Sequence, residues 1–246
     1  MNDDDLAAGL AHEAGEVLLA VREQPPADSR ARRDLGDRTA QDLLARRLAE
    51  ARPDDAVLSE EAADDARRLT ASRVWIIDPL DGTREFSEPP RDDWAVHVAL
   101  WSEGDLVAGA VALPARGVVH RMDRPSPVPD RPHGPVRLAV SRSRPPAFVT
   151  TLAERLGAVL VPMGSAGVKA MAVVDGTVDA YVHAGGQYEW DSAAPVAVAR
   201  GHGLVTSRID GSRLGYNSPN PYLPDLVVVR PDVADQLMDA LRALEA

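Results

Sequence analysis

Four acidic points in this chain fall where apolar runs end. The run VWIIDPLDGTREF, Val74 to Phe86, drives four apolar residues into Asp78 and reaches Asp81 across Pro79 and Leu80, just before Gly82 and Thr83. Glu60 and Glu61 close the apolar stretch AVLSEEA, and Asp191 follows Trp190 near the expected start of a helix. On loops joining core elements, Glu60, Asp78, Asp81 and Asp191 form a set of hard oxygen ligands suited to Mg²⁺, completed by water and backbone carbonyls. Taken singly, each has a plainer reading. Asp81 fits an Asx-type turn, and Asp191 fits an N-cap.

The three-residue step from Asp78 to Asp81 narrows the chemistry. EF-hand loops need acids at alternate positions and a later Glu, which DPLDGTREFSEP lacks. An aspartyl nucleophile followed by a general acid would use D-x-D-G-T, one residue shorter. Residues two apart share one side of an extended chain, whereas three apart across a proline need a turn. That spacing favours two metal ligands, with Pro79 turning Asp81 back toward Asp78. A short helix beginning at REF would add free backbone N–H groups and a positive helix end for a phosphate.

Composition sets outer bounds. The 246 residues carry a formal net charge of −11, 45% apolar residues and no cysteine. That excludes disulfides and cysteine nucleophiles and argues against a nucleic-acid partner, which wants a basic face. An anionic small molecule fits only if metal ions invert the local field. No apolar run reaches a membrane span, and the acidic start MNDDD is unlike a signal peptide. A cytoplasmic protein is expected, with homodimerisation left open.

The elements that must position these acids follow from periodicity. Leu6, Leu10, Ala14, Val17, Leu18 and Val21 share one face of a helix ending before Pro25-Pro26. Thr39 leads a second helix with Leu43, Leu44 and Leu48 as its stripe. WAVHVALW and LVAGAVALP read as antiparallel partners across Glu103-Gly104, with VVHR extending the sheet. Residues 123–135, with five prolines, read as a loop. Beyond it VRLAVS, AVLVP, TVDAYVHA and DLVVVR are strands. Helices are expected from Pro146 to Leu156, over SAGVKAMAVVDG and WDSAAPVAVARG, and after Pro231, with a hairpin around Asp210-Gly211. This predicts an α/β protein of two intimate lobes, 1–122 and 136–246, joined by 123–135.

With SEE at 59–61, WIIDPLDGTREF at 75–86 and EWDSAAP at 189–195 in this order, the chain resembles the inositol monophosphatase superfamily of metal-dependent, lithium-sensitive phosphatases. The resemblance implies a layered α-β-α-β-α sandwich. It also implies two or three Mg²⁺ ions held by Glu60, Asp78, the Leu80 carbonyl, Asp81 and Asp191, with phosphate on Gly82 and Thr83. DGTREF, SRSRPP at 141–146 and GSAGVKAM at 164–171 are more similar to the 3′(2′),5′-bisphosphate nucleotidase branch, in which Ser165 and Lys169 would help hold the nucleoside.

That branch implies hydrolysis of adenosine 3′,5′-bisphosphate to AMP by an activated water. Thr83, with Asp42 or Glu61, would take the water's proton, and Arg84 would stand near the substrate. Inositol monophosphatase or fructose-1,6-bisphosphatase activity is the same-class alternative, and a non-catalytic nucleotide sensor the different-class one. Two departures stand out. Tyr181-Val182-His183 replaces the branch's Tyr-Pro-Arg, and Asp42 keeps the spacing of the third-site acid in altered surroundings. Arg84 has a plain alternative partner in Glu85 or Glu88. Trp75, Trp94, Trp101 and Trp190 read as core rather than base-stacking residues. His12, His97, His120, His133 and His202 form no ligand spacing and are assigned no chemistry.

Overall fold

The structure is a computed structural model that describes residues 1–24, 28–143 and 145–245. Pro25-Pro26 and Arg144, within the expected helix stop and the SRSRPP segment, lie outside the described residues. Helices α1 (Asp3–Glu23) and α2 (Ser29–Ala51) come first. The first sheet has strand order β1-β2-β3-β4-β5. These strands are Ala56–Ser59, Arg73–Asp81, Ala95–Ser102, Asp105–Leu113 and Val118–Arg121, with α3 (Thr83–Phe86) between β2 and β3.

The second sheet follows residues 123–135. It contains β6 (Arg137–Ser141), β7 (Val159–Met163), β8 (Ala180–Tyr188), β9 (Val205–Ser207) and β10 (Tyr222–Val229), in the order β7-β6-β8-β10-β9. Helices α4 (Ala147–Leu156), α5 (Ala166–Val174), α6 (Glu189–Gly201) and α7 (Pro231–Glu245) alternate with these strands.

Alternation along the strands builds the layers, because successive side chains take opposite faces. On β2, Trp75 and Ile77 pack with Leu10, Leu18 and Leu44 of α1 and α2, while Val74 and Ile76 face Val168, Ala194 and Val198 of α5 and α6. On β10, Leu226 and Val228 face that same central layer, and Val227 and Val229 pack against Leu152, Leu237 and Leu241 of α4 and α7. The result is a five-layer α-β-α-β-α sandwich, as expected.

Three boundaries differ from expectation. Helix α2 begins ten residues before Thr39, at Ser29, capped by Asp28 accepting from the Ala31 N–H at 2.8 Å. Its first turns are mostly exposed and charged, so no apolar stripe announced them. Pro79 does not turn the chain. β2 runs on to Asp81 with a bulge against β3, Asp78 pairing with His97 and Asp81 with Ala95. The Asp210-Gly211 segment is a local turn closed by Gly211 N–H to Arg208 O, but it joins no hairpin strands. β9 instead pairs with β10 through Ser207 and Val227.

Candidate active site

The bulge explains how acids three positions apart meet. Asp78 continues the parity of Val74 and Ile76 and so faces the central helices. The extra residue shifts parity, so Leu80 packs with the outer core and Asp81 returns to the side of Asp78. Asp191 arrives in the first turn of α6. Ligand oxygens of Asp78, Asp81 and Asp191 all lie within 4.8 Å of one another.

The free oxygens are as informative as the bound ones. Asp78 is buried, and its Oδ1 accepts from the Leu80 N–H at 3.0 Å while Oδ2 has no hydrogen-bond donor, the nearest cationic group being His97 Nδ1 at 3.9 Å. Asp81 concentrates its protein contacts on Oδ2. That atom accepts from the Ser165 hydroxyl and from the Gly167 N–H at 2.7 Å, and lies 3.3 Å from His97 Nε2. Asp191 Oδ2 accepts from the Tyr188 N–H at 2.7 Å. A buried carboxylate oxygen without a donor is costly unless a cation meets it, so the donor set fits a divalent metal.

Electrostatics carry the same message. Burial, then Glu60, Asp81 and Asp191, push Asp78 well above the usual carboxylate range. Burial and Asp81 push Asp191 up to about 7. Burial also works to raise Asp81, but the contact and charge of His97, the charge of Lys169 and the Ser165 hydroxyl outweigh it and hold Asp81 low. The site is therefore split. Asp81 is compensated from the protein side, and Asp78 is not.

Ser165 and Lys169 are both buried. Ser165 caps α5 by accepting from the Val168 N–H at 3.0 Å while donating to Asp81, and it holds a positive φ of 52°. Such a backbone conformation is uncommon for a residue with a Cβ and clusters at functional sites. Lys169 donates to the Ser165 carbonyl and lies 5.3 Å from the Tyr181 ring centroid, so it is not a solvated lysine. Burial lowers its pKa against the pull of Asp81, Glu85, Asp191 and Asp93.

The remaining expected residues fall at different distances from this centre. Glu60 is exposed and stands outside the three-acid group. The protein around it and Asp191, Asp81, Glu61 and Asp37 push it up to about 7. Glu61 is exposed, its N–H 3.4 Å from Ser59 Oγ. The Leu80 carbonyl accepts from the Thr83 hydroxyl at 3.1 Å, and Gly82 takes a φ of 85° to start α3. Arg84 is exposed and pairs with Glu88 at 3.1 Å. His183 Nε2 lies 2.7 Å from the Gly185 carbonyl, and burial lowers its pKa, so it is no standing cation in place of the expected arginine.

Asp42 is exposed in a surface hollow with Val17, Thr39 and Arg46. The acid of α2 that acts on Glu60 is Asp37, itself pushed up to about 7 by burial, Glu61 and Asp34. Helical geometry explains the exchange. Asp37 is one turn from Gln41, whose side chain accepts from Ser59 at the end of β1, whereas Asp42 is a step of about 100° further round the helix.

His97 is the second residue that sequence reasoning missed. It is fully buried, with Nδ1 3.1 Å from the Trp190 carbonyl and Nε2 at ion-pair distance from Asp81, though not aligned for a hydrogen bond. Burial pushes its pKa down, but Asp81 and the Trp190 carbonyl outweigh this and raise it. Gly167 makes room for it. A Cβ there would stand 2.1 Å from His97 Nε2. The signal in the sequence was parity, since His97 shares a strand face with inward Ala95 and Ala99.

The sequence pattern of the inositol monophosphatase family matches residues 4–244. The chain belongs to that family. A Mycobacterium tuberculosis protein named 3′-phosphoadenosine 5′-phosphate phosphatase is 54% identical over 242 residues, covering 93% of this chain and 89% of that one. Its Mycobacterium leprae namesake is 52% identical over 255 residues, covering 98% and 94%. Among solved structures, CysQ from Bacteroides thetaiotaomicron, a bacterial member of the same family, superposes with a TM-score of 0.80 at 26% identity, covering 93% of this chain and 97% of that one. Buried Asp78 and Asp81 and half-buried Asp191 thus give this member of a metal-dependent family an acidic group able to hold a metal ion. No described helix is long and apolar enough to cross a membrane.

Proposed function

We propose that this chain is a magnesium-dependent phosphatase that converts 3′-phosphoadenosine 5′-phosphate to AMP and phosphate. One observation carries the chemistry. Asp78 Oδ2 is buried without a donor, inside a group of three carboxylates spanning at most 4.8 Å. Asp78, Asp81, Asp191 and Glu60, with the Leu80 carbonyl, would hold two or three Mg²⁺ ions. Bound there, these cations supply charge neutralisation and Lewis acidity for displacement at phosphorus.

The chain's own groups do the rest. Ser165, Gly167, His97 and Lys169 fix Asp81 and leave its Oδ1 for ligation. Gly82 and Thr83 offer backbone N–H groups to the phosphate. The Thr83 hydroxyl donates to the Leu80 carbonyl, so its oxygen is left to accept from the attacking water. Thr83 in this way orients the water, and we assign the acceptor of its proton to Asp37 or Glu61 rather than Asp42, because Asp37 is the α2 acid whose charge acts on Glu60. The role of Ser165 and Lys169 becomes support of Asp81 more than contact with the nucleoside. Asp78 and Asp81 come from lobe 1–122 and Asp191 from lobe 136–246, so neither lobe would act alone.

Substrate class follows the relatives' names and the DGTREF signature. With Mg²⁺, kcat/KM for adenosine 3′,5′-bisphosphate should exceed that for inositol 1-phosphate and fructose 1,6-bisphosphate at least about tenfold, or 1.4 kcal/mol in transition-state binding. A phosphate-release assay across these three compounds checks it. Equal or reversed ratios would move the protein to another branch of the family.

A further inference from the structure

The chain is poor in aromatic residues, with two Phe, four Trp and four Tyr. Trp75, Trp94, Phe86 and Tyr181 are buried in the cores. Among the described residues only Tyr188 and Tyr222 are exposed aromatics, each 41% open, and they are cross-strand partners on β8 and β10. Tyr188 lies flat on Trp190, with ring centroids 4.8 Å apart and planes 7° from parallel. Tyr222 meets Tyr188 edge-on at 5.8 Å and 84°.

This aromatic surface is tied to the acidic cluster by its backbone. The Tyr188 N–H donates to Asp191 Oδ2, and the Trp190 carbonyl is the partner of His97 Nδ1. On the approach along β8, Gly185 and Gly186 offer no side chains, and a Cβ on either would meet nothing within 4 Å. A stacked, exposed aromatic ring thus stands three residues before Asp191, with open space at the two glycines that precede it.

From this placement, and resting on the reading of the substrate as a nucleotide, we infer that Tyr188, backed by Trp190 and edged by Tyr222, is the stacking face for the purine of the bound bisphosphate. The 3′-phosphate sits at the acids and the base lies one ribose away, where a flat aromatic surface is otherwise unexplained. Every base has a π-face, so stacking selects a nucleotide over a bare sugar phosphate without reading base edges. Tyr188 is in this sense a specificity-determining residue. Nothing about its role requires the phenol oxygen.

The test is the ratio of kcat/KM for adenosine 3′,5′-bisphosphate to that for the methyl riboside 3,5-bisphosphate, which keeps sugar and phosphates and lacks the base. Tyr188→Ala and Tyr188→Leu should each lower the ratio about 10- to 100-fold, while Tyr188→Phe holds it within about twofold of the parent. Tyr188→Leu fills the space without a ring, so a loss common to Ala and Leu is not a packing defect. An unchanged ratio in both variants, with the parent protein preferring the nucleotide, overturns the inference and leaves the nucleotidase reading standing. A parent protein with no preference overturns that reading and this inference together. If sedimentation shows a dimer that Tyr188→Ala dissociates while the ratio holds, the face belongs to a second copy of the chain, and the inference fails.

Discussion

Asp78→Asn is expected to abolish turnover and at the same time raise the melting temperature of the metal-free protein. Loss of activity should exceed the roughly 10- to 100-fold that removing an outer partner of a metal ligand typically costs. The gain in stability follows from what surrounds Asp78. It is buried, faces the charges of Glu60, Asp81 and Asp191, and has one oxygen with no donor. Asp81→Asn should lose activity equally and behave in the opposite way in the melt. Asp81 is the anion against which His97 and Lys169 are buried, and removing one partner of a buried pair strands the other charge. For a protein of this size each 1 kcal/mol moves the melting temperature about 2–4 °C. Thermal melts of both variants in EDTA check this contrast. Parallel shifts of the two variants would mean that the charges are not partitioned as described.

Metal-free stability should also fall as pH rises from about 4 to about 7, with added magnesium reversing the loss. Glu60, Asp191 and Asp37 are each raised to about 7, and Asp78 is raised as well. A carboxyl whose pKa is higher in the folded protein binds its proton more tightly there. Its contribution is therefore complete below the unfolded value and is lost as pH rises through the folded one. Asp81, held low, has the opposite sign and loses its contribution as pH falls. Asp81 and the other carboxyls held low, such as Asp64 and Asp225, lose their contribution only below the ordinary carboxylate value. Between about pH 4 and about 7 the four raised carboxyls, joined by raised His97, therefore outweigh lowered His120 and His183 and set a downward slope. Cations compete with the same protons, so the gap between melting temperatures in Mg²⁺ and in EDTA should widen between pH 5 and 8. A gap that stays constant would separate these carboxyls from metal binding.

Much of the site was legible because its acids end apolar runs. Asp78 lies on a strand of apolar character and Glu60 directly follows another, and Asp191 stands at a helix start with small residues after it. What could not be read depends on pairing and parity. The bulge at Pro79 and Leu80 is a property of two strands, so a single strand suggested a turn instead. His97 was passed over for the same reason. It becomes a site residue only when its register places it opposite Asp78. Asp37 was hidden because the exposed first turns of α2 lack an apolar stripe, which put the residue in an apparent loop and left Asp42 as the acid matching by spacing. Tyr188 was invisible as a surface, since β8 continues through two glycines that a strand reading stops short of.

The central claim is that Asp78 and Asp81 hold cations and that neither attacks phosphorus. The stereochemical course of hydrolysis tests it most directly, with adenosine 3′,5′-bisphosphate made isotopically chiral as a 3′-phosphorothioate. A single displacement by water inverts configuration at phosphorus, whereas two displacements through a phosphorylated Asp78 retain it. Inversion is the expected result. Net retention would contradict the ligand roles of both aspartates and make DPLDGT a nucleophile motif.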